Sequence, residues 1–501
     1  MKGHDVESTP DGYKLDAMPV TRHWYGGQKP STLKVVMVLV PGFFGGAGDF
    51  AYAGERLVER FHRMQVWVVE RRNNLLENRC GMEHAQGQDY SATQVVASYY
   101  LFGTSIPDGS EEGACIVDDA DPNVWDGAEG EHDLSQTEAA DVGMAQWGLE
   151  TELKDIRAVI RDARKEYPNA KVVLGGHSLG GMTTQLYAGW RFGKEASSAG
   201  WRSIDGLVLI DGAVNGPGWA DVMVPQSFAT RALTEAGQFY WDDLPGGRTF
   251  LLGLLAEIGA LAAIQAPEDE SFIWKTLPPP LSWPVENTCP TNRAAFAGLT
   301  DDQLGFSPTF ELHQGDVSGP LPGPLGGTRK CSSPNETRDL VGWLDFDDEE
   351  LAGQQEISST DVWAHSMFDS TETNGIEWYF STVLNADIDL TSNLDTTAEY
   401  THEDETTTAQ AAYGLREFDT AAVKVPVYGF IASFCRANYD WYKEQATSVN
   451  NFKYVDRSAE HCPEPSDDPY GHVDPLFAAD EGGHTNDFFA TLVKWVKNEV
   501  L

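Results

Sequence analysis

The chain has 501 residues, 41% hydrophobic and 11% aromatic, which is ample for a packed protein and too long for one compact core of ordinary size. Its 77 acidic against 35 basic residues give a net charge of −42, which repels phosphate backbones and anionic bilayers and so excludes nucleic acid and anionic membranes as partners. No apolar run reaches the roughly 18–20 residues of a bilayer span, which excludes stable membrane insertion. Acid excess with lysine scarcer than arginine suits a salt-rich medium, where cations screen the self-repulsion; an acidic exported protein from an ordinary habitat fits the same numbers.

Residues 1–30 are polar, with short strand-like pieces such as 13–20. Residues 33–40, LKVVMVLV, form a nearly continuous β-branched run, the pattern of a strand buried on both faces of a parallel sheet. The turn 41–46, PGFFGG, follows, then a helical pattern over 50–61 and a second buried strand over 65–70. Strand, helix and strand in this order predict the repeating unit of an α/β fold. Residues 103–146 are rich in Asp, Glu and Gly and break the rhythm as a long surface excursion. The acidic stretch from Asp118 to Asp133 lacks the spaced carboxylates of a calcium loop, so no metal is assigned to it.

A helix resumes near Leu149, with Leu153, Ile156, Val159, Ile160 and Ala163 at the 3.6-residue period. A strand over 171–174, a tight turn over 175–181 and a helix over 182–190 come next, then a buried strand over 206–210 that ends on Asp211. Over 215–422 the alternation stops, with helical stretches near 226–238 and 250–265. Strands return over 423–432 and 451–455, and an amphipathic helix closes the chain over about 485–497. The expected organisation is a sheet core of 1–214 plus 423–501, with 215–422 inserted between two late strands as a cap. Phe239, Tyr240, Trp241, Trp274 and Trp283 either line an apolar tunnel there or pack the cap's own core.

The six cysteines form no CxxC pair and fall into three neighbourhoods, Cys80 with Cys115, Cys289 with Cys331, and Cys435 with Cys462. Three disulfides in a secreted or periplasmic protein is the favoured reading, and buried free thiols is the other. The start, MKGHDVESTP, has no signal-peptide core, so a trimmed signal or an intracellular location both stay open. The sequon at Asn335 matters only where the source glycosylates.

Gly176-His177-Ser178-Leu179-Gly180 is a G-x-S-x-G pentapeptide between an apolar strand and a helix. The flanking glycines let strand and helix approach closely. The sharp turn lifts the serine hydroxyl clear of the sheet and aims a helix N-terminus at it. The segment 172–181, VVLGGHSLGG, resembles the nucleophile elbow of lipases and esterases of the α/β-hydrolase superfamily, and the turn 40–46 resembles that superfamily's oxyanion turn. The resemblance spans the core and not the cap.

It implies an α/β-hydrolase fold with a mostly parallel sheet, no cofactor, and a serine carboxylic ester hydrolase acting through an acyl-enzyme on Ser178. The substrate would be a small-molecule or lipidic ester. The oxyanion would be held by the amides of Leu179 and Phe43, with Phe44 as second choice for the latter. For the base, Tyr470-Gly-His472-Val-Asp474 resembles the H-x-D segment of acid-lipase-like hydrolases, and His484, before the last helix and beside a Thr485 cap, is the rival. His177 is expected to point away from Ser178. For the acid, Asp211 stands at a strand's carboxyl end, where open α/β sheets build sites, and Asp440 is the alternative. Acyl transfer, peptidase or lyase chemistry on the same groups stays open, as does a non-catalytic binding protein on the same scaffold.

Overall fold

The structure, a computed structural model, describes residues 18–27, 30–42, 45–71, 85–86, 88–102, 149–193, 195–212, 250–276, 283–304, 312–323, 326–332, 337–351, 356–369, 399–402, 405–408, 420–480 and 483–501. Strands β1 (Val20–Trp24), β2 (Val35–Val40), β3 (Met64–Val69), β4 (Lys171–His177) and β5 (Gly206–Ile210) lie in the first part of the chain. The insertion carries β6 (Thr288–Pro290), β7 (Gly315–Pro320), β8 (Asp339–Asp345) and an antiparallel pair, β9 (Glu399–His402) and β10 (Glu405–Thr408). After it come β11 (Val427–Ile431) and β12 (Phe452–Asp456).

One seven-stranded sheet runs in the order β1-β3-β2-β4-β5-β11-β12. Only β1 is antiparallel to its neighbour; every other pairing is parallel. Helices cover both faces, so the central strands have no wet side and read as unbroken apolar runs; every residue of β2, β5 and β11 is buried. The two-residue period of a strand decides which cluster each side chain joins. Val35, Met37 and Leu39 pack with Phe50, Leu57, Phe488 and Leu492 on one face. Val36, Val38 and Val40 pack with Leu153, Ile156, Val159, Leu186 and Tyr439 on the other. This is the sheet of an α/β-hydrolase fold.

The helices of the first part are α1 (Ala51–Arg60), α2 (Tyr90–Phe102), α3 (Leu149–Glu166) and α4 (Leu179–Gly189). The insertion adds α5 (Phe250–Gln265), α6 (Ile273–Thr276), α7 (Asn292–Thr300) and α8 (Thr360–Asp369), and the last part α9 (Cys435–Gln445), α10 (Asp474–Phe477) and α11 (Asp487–Trp495). The insertion leaves from β5 and returns at β11, which pair directly through Val427 and Leu207, so it interrupts the chain without interrupting the sheet. It docks on the core near the C-terminus. The Trp363 ring meets Phe477 at 4.6 Å, and Ala479 N–H donates to the Ile357 carbonyl at 2.8 Å. Trp274 and Trp283 stack edge-on at 5.6 Å over Ala295 and Leu299, which is core packing rather than a tunnel wall; Phe239, Tyr240 and Trp241 lie outside the described residues. No helix among the described residues is long and apolar enough to cross a membrane.

The strand expectations match β2, β3, β4, β5, β11 and β12 closely. β1 and α2 were not anticipated. The last helix begins two residues later than expected, because Asn486 rather than Thr485 caps it, its side chain accepting from the amides of Phe488 and Phe489. Cys289 pairs with Cys331 and Cys435 with Cys462, as the spacing suggested. Cys80 and Cys115, the acidic stretch 118–133, the helical stretch 226–238 and the sequon's Asn335 lie outside the described residues.

The turn after β4 is closed by glycine. A Cβ on Gly180 would stand 2.1 Å from the Val40 carbonyl oxygen and 2.5 Å from that of Pro41, and one on Gly176 would stand 2.2 Å from the Gly180 carbonyl carbon. These neighbours are backbone and cannot swing aside. Gly180→Ala is therefore expected to cost at least about 1–3 kcal/mol, read as a lowered denaturation midpoint; an unchanged midpoint would mean that helix and strand are not held this tightly.

Candidate active site

The carboxyl ends of β4, β5 and β11 open on one point. Ser178 follows β4 directly and takes φ 52°, ψ −122° as the residue preceding α4. A non-glycine residue at positive φ costs on the order of 1–3 kcal/mol and persists only where its surroundings fix it. Here its N–H donates to the Ile210 carbonyl at 2.9 Å and its carbonyl accepts from Met182 N–H at 3.2 Å. Leu179 opens α4, so its amide has no partner within the helix.

Asp211 follows β5, also at positive φ, 38°. Its N–H donates to the Phe430 carbonyl at 2.8 Å. Its Oδ1 accepts from Ala432 N–H at 2.8 Å and Phe434 N–H at 3.0 Å, both just past β11. Its Oδ2 stands 2.6 Å from His472 Nδ1. Asp211 is wholly buried and His472 nearly so. A carboxylate that already accepts two amides must accept the third contact too, so Nδ1 carries the proton and Nε2 is left as the ring's acceptor. Beneath the pair, Tyr439 accepts from Gly212 N–H at 3.0 Å and donates to the Phe430 carbonyl at 2.8 Å. Burial, and then the charge of Asp211, push its phenol well above the usual range.

His472 packs against two rings, Phe434 stacked at 5.0 Å and His177 tilted at 4.6 Å. His177 Nε2–H donates to the His472 carbonyl at 2.8 Å, a strut from the elbow to the histidine loop that no sequence pattern signals. Burial, then the neighbouring His472, hold the His177 pKa well below the usual histidine value, so it stays neutral.

Phe43 and Phe44 lie outside the described residues, but both flanks of their turn are pinned. Arg71 donates to the carbonyls of Pro41 at 2.8 Å and Gly42 at 3.0 Å and pairs with Glu152 at 3.0 Å, while both oxygens of Glu70 accept from Ala47 N–H. Asp49, in the short helical turn Ala47–Phe50 that follows, is pushed up to about 8 by burial and by Glu70, against the pull of Arg71. The one available signal for this clamp was a charged pair placed directly after an apolar strand.

The rivals stand elsewhere. His484 is exposed and meets the ring of Phe346 at 5.2 Å. Asp440 accepts from Tyr454 OH at 3.0 Å on α9. Asp474, two residues after His472, does not face that imidazole. It binds His313 Nδ1, accepts from Ser358 Oγ at 2.5 Å and Gly471 N–H at 2.7 Å, and so fastens the histidine loop to the insertion.

Burial pulls the His313 pKa down, but Asp474, with Asp302 and Glu460, outweighs it and raises it to about 10. In the unfolded chain a histidine titrates near about 6.5. The folded state therefore binds the extra proton, and its stabilisation is complete below about pH 6.5 and lost as pH rises through about 10. The gap in melting temperature between the native chain and His313→Gln should shrink from pH 6 to pH 10; a constant gap would show that no charged pair is involved.

The chain matches no protein-family model and no curated protein sequence. Solved structures align with it at low similarity. A thermostable carboxyl esterase of Bacillus coagulans is 8% identical with a TM-score of 0.38, over 97% of this chain and 94% of that one. A soluble variant of a monoglyceride lipase of Saccharomyces cerevisiae is 8% identical with a TM-score of 0.35, over 97% and 92%. An epoxide hydrolase of Vigna radiata is 12% identical with a TM-score of 0.35, over 96% and 94%.

Proposed function

We propose that the chain is a serine hydrolase of carboxylic esters. Supporting this most directly is the 2.6 Å contact of His472 Nδ1 with Asp211, beside a serine bent to φ 52° at the end of β4. In this reading Ser178 Oγ attacks the acyl carbon while its proton passes to His472 Nε2. The alcohol departs with that proton. Water then attacks the acyl-enzyme, gives its proton to Nε2, and Ser178 is restored as the acid leaves. Asp211 holds the ring and stabilises the imidazolium. The negative oxygen of each tetrahedral intermediate lies against the amides of Leu179 and Phe43, with the Arg71–Glu70 clamp keeping the second donor's turn in place. A nucleophilic aspartate, as epoxide opening would need, has no counterpart in a serine at the elbow.

Residues 215–422 act in this proposal as a cap over the site, selecting small or lipidic esters. The two disulfides among the described residues suit an oxidising compartment, so export is the proposed location. On a short p-nitrophenyl ester, His472→Ala is expected to lose about 10⁴-fold in kcat or more, while His484→Ala stays within about twofold. Full activity in the first and loss in the second would overturn the assignment.

A further inference from the structure

The insertion holds a second group of charges that ester hydrolysis does not use. Asp301 is the residue that ends α7, Asp302 follows it, and Glu356 leads into α8. One carboxylate oxygen from each lies within 4.8 Å of the other two. Asp301 is 2% exposed. Its Oδ1 accepts from the amides of Gln303 and Leu304, both at 3.0 Å, while Oδ2 is buried and accepts no hydrogen bond. Glu356 Oε2 is likewise buried without a donor. At the same helix end, fully buried Gln314 gives its amide N–H to Thr300 Oγ1 at 2.8 Å, and its amide oxygen accepts nothing.

Buried oxygens without donors are costly, and a helix C-terminus adds its own negative dipole end to the carboxylates. Among the described residues no Lys or Arg pairs with any of the three, and the nearby His313 is taken by Asp474. What this place favours is a cation. An all-oxygen donor set selects a hard one. Calcium takes six to eight oxygens in flexible geometry, which three side chains from two segments can begin to supply, whereas magnesium demands a near-ideal octahedron. The exposed Asp302 leaves an open edge for entry and for water ligands.

We propose that Asp301, Asp302 and Glu356 form a site for a calcium-class divalent cation, tying the end of α7 to the segment that leads into α8. That segment also touches the histidine loop, since Ser358 Oγ bonds Asp474, and it is held in place where Ile357 and Ser358 donate to the His313 carbonyl at 2.9 and 2.8 Å. The ion thus braces the joint between insertion and core, and this role stands whether or not the ester reading holds.

The test uses the full chain, stripped with a chelator and then titrated with calcium chloride. Its melting temperature should rise on the order of 3–6 °C at a hundredfold excess over Kd, with a smaller rise for magnesium and none for sodium chloride of equal ionic strength. Terbium, bound in calcium's place, should give luminescence that calcium displaces. Asp301→Asn combined with Glu356→Gln should remove both signals. Asp302→Asn, at the exposed edge where folding is not at stake, should weaken calcium binding about tenfold. A chain that gains nothing from calcium beyond the salt control, or calcium affinity left unchanged by Asp302→Asn, would overturn the site.

Discussion

Replacing Ser178 by alanine should lower kcat for an activated ester by about 10⁶-fold while leaving the melting temperature nearly unchanged. The bonds that hold the elbow are made by the backbone, from Ser178 N–H to Ile210 and from Met182 N–H to Ser178, and alanine keeps both. What is lost is the attacking oxygen. A stability change within about 0.5 kcal/mol is expected for so small a truncation. Initial rates and a thermal melt on the same preparation check both halves. A variant that still turns over the ester would move the nucleophile away from the elbow.

Asp211→Asn should cost about 10⁴-fold in kcat without disturbing the fold. The carboxamide keeps the shape of the carboxylate, and its oxygen can still accept from the amides of Ala432 and Phe434. Its NH₂ then turns toward His472, and Nδ1 must become an acceptor. The ring proton moves to Nε2, the atom that should receive the proton of Ser178. The loss is one of tautomer as much as of charge. Asp440→Asn keeps an oxygen that can accept from Tyr454 OH, alters nothing else at the site and should stay within about twofold. Steady-state kinetics of the two variants separate the candidates; the reverse ranking would reassign the acid to α9.

Much of this architecture was legible because burial on both faces writes itself into the sequence. The runs of β2, β5 and β11, and residues 172–174 of β4, are apolar or buried on both sides of the pleat, and only a sheet covered on both sides requires that. Asp211 stands out as a candidate because a carboxylate at the end of such an apolar run needs partners to be buried there. By contrast β1, VTRHW, is an antiparallel strand beside β3 and carries no comparable apolar run, so nothing in its composition distinguishes it from a loop. The strands β6 and β7, TCP and GDVSGP, are short and rich in turn-forming residues, and pairing with β8 rather than propensity makes them strands. The partners of the His177 strut and of the Arg71 clamp were hidden for another reason, the charged pair after β3 being the clamp's one visible trace. Each joins side chain to backbone across 295 and about 30 residues of chain, and backbone acceptors leave no mark in a sequence.

The proposed chemistry turns on a single activated hydroxyl at the elbow. The chain should be treated with a fluorophosphonate and the modified peptide mapped by mass spectrometry. One adduct is expected, on Ser178, formed quickly in the native chain, absent from Ser178→Ala, and slowed by orders of magnitude in His472→Ala. An unlabelled native protein, or an adduct that persists in Ser178→Ala, would contradict it.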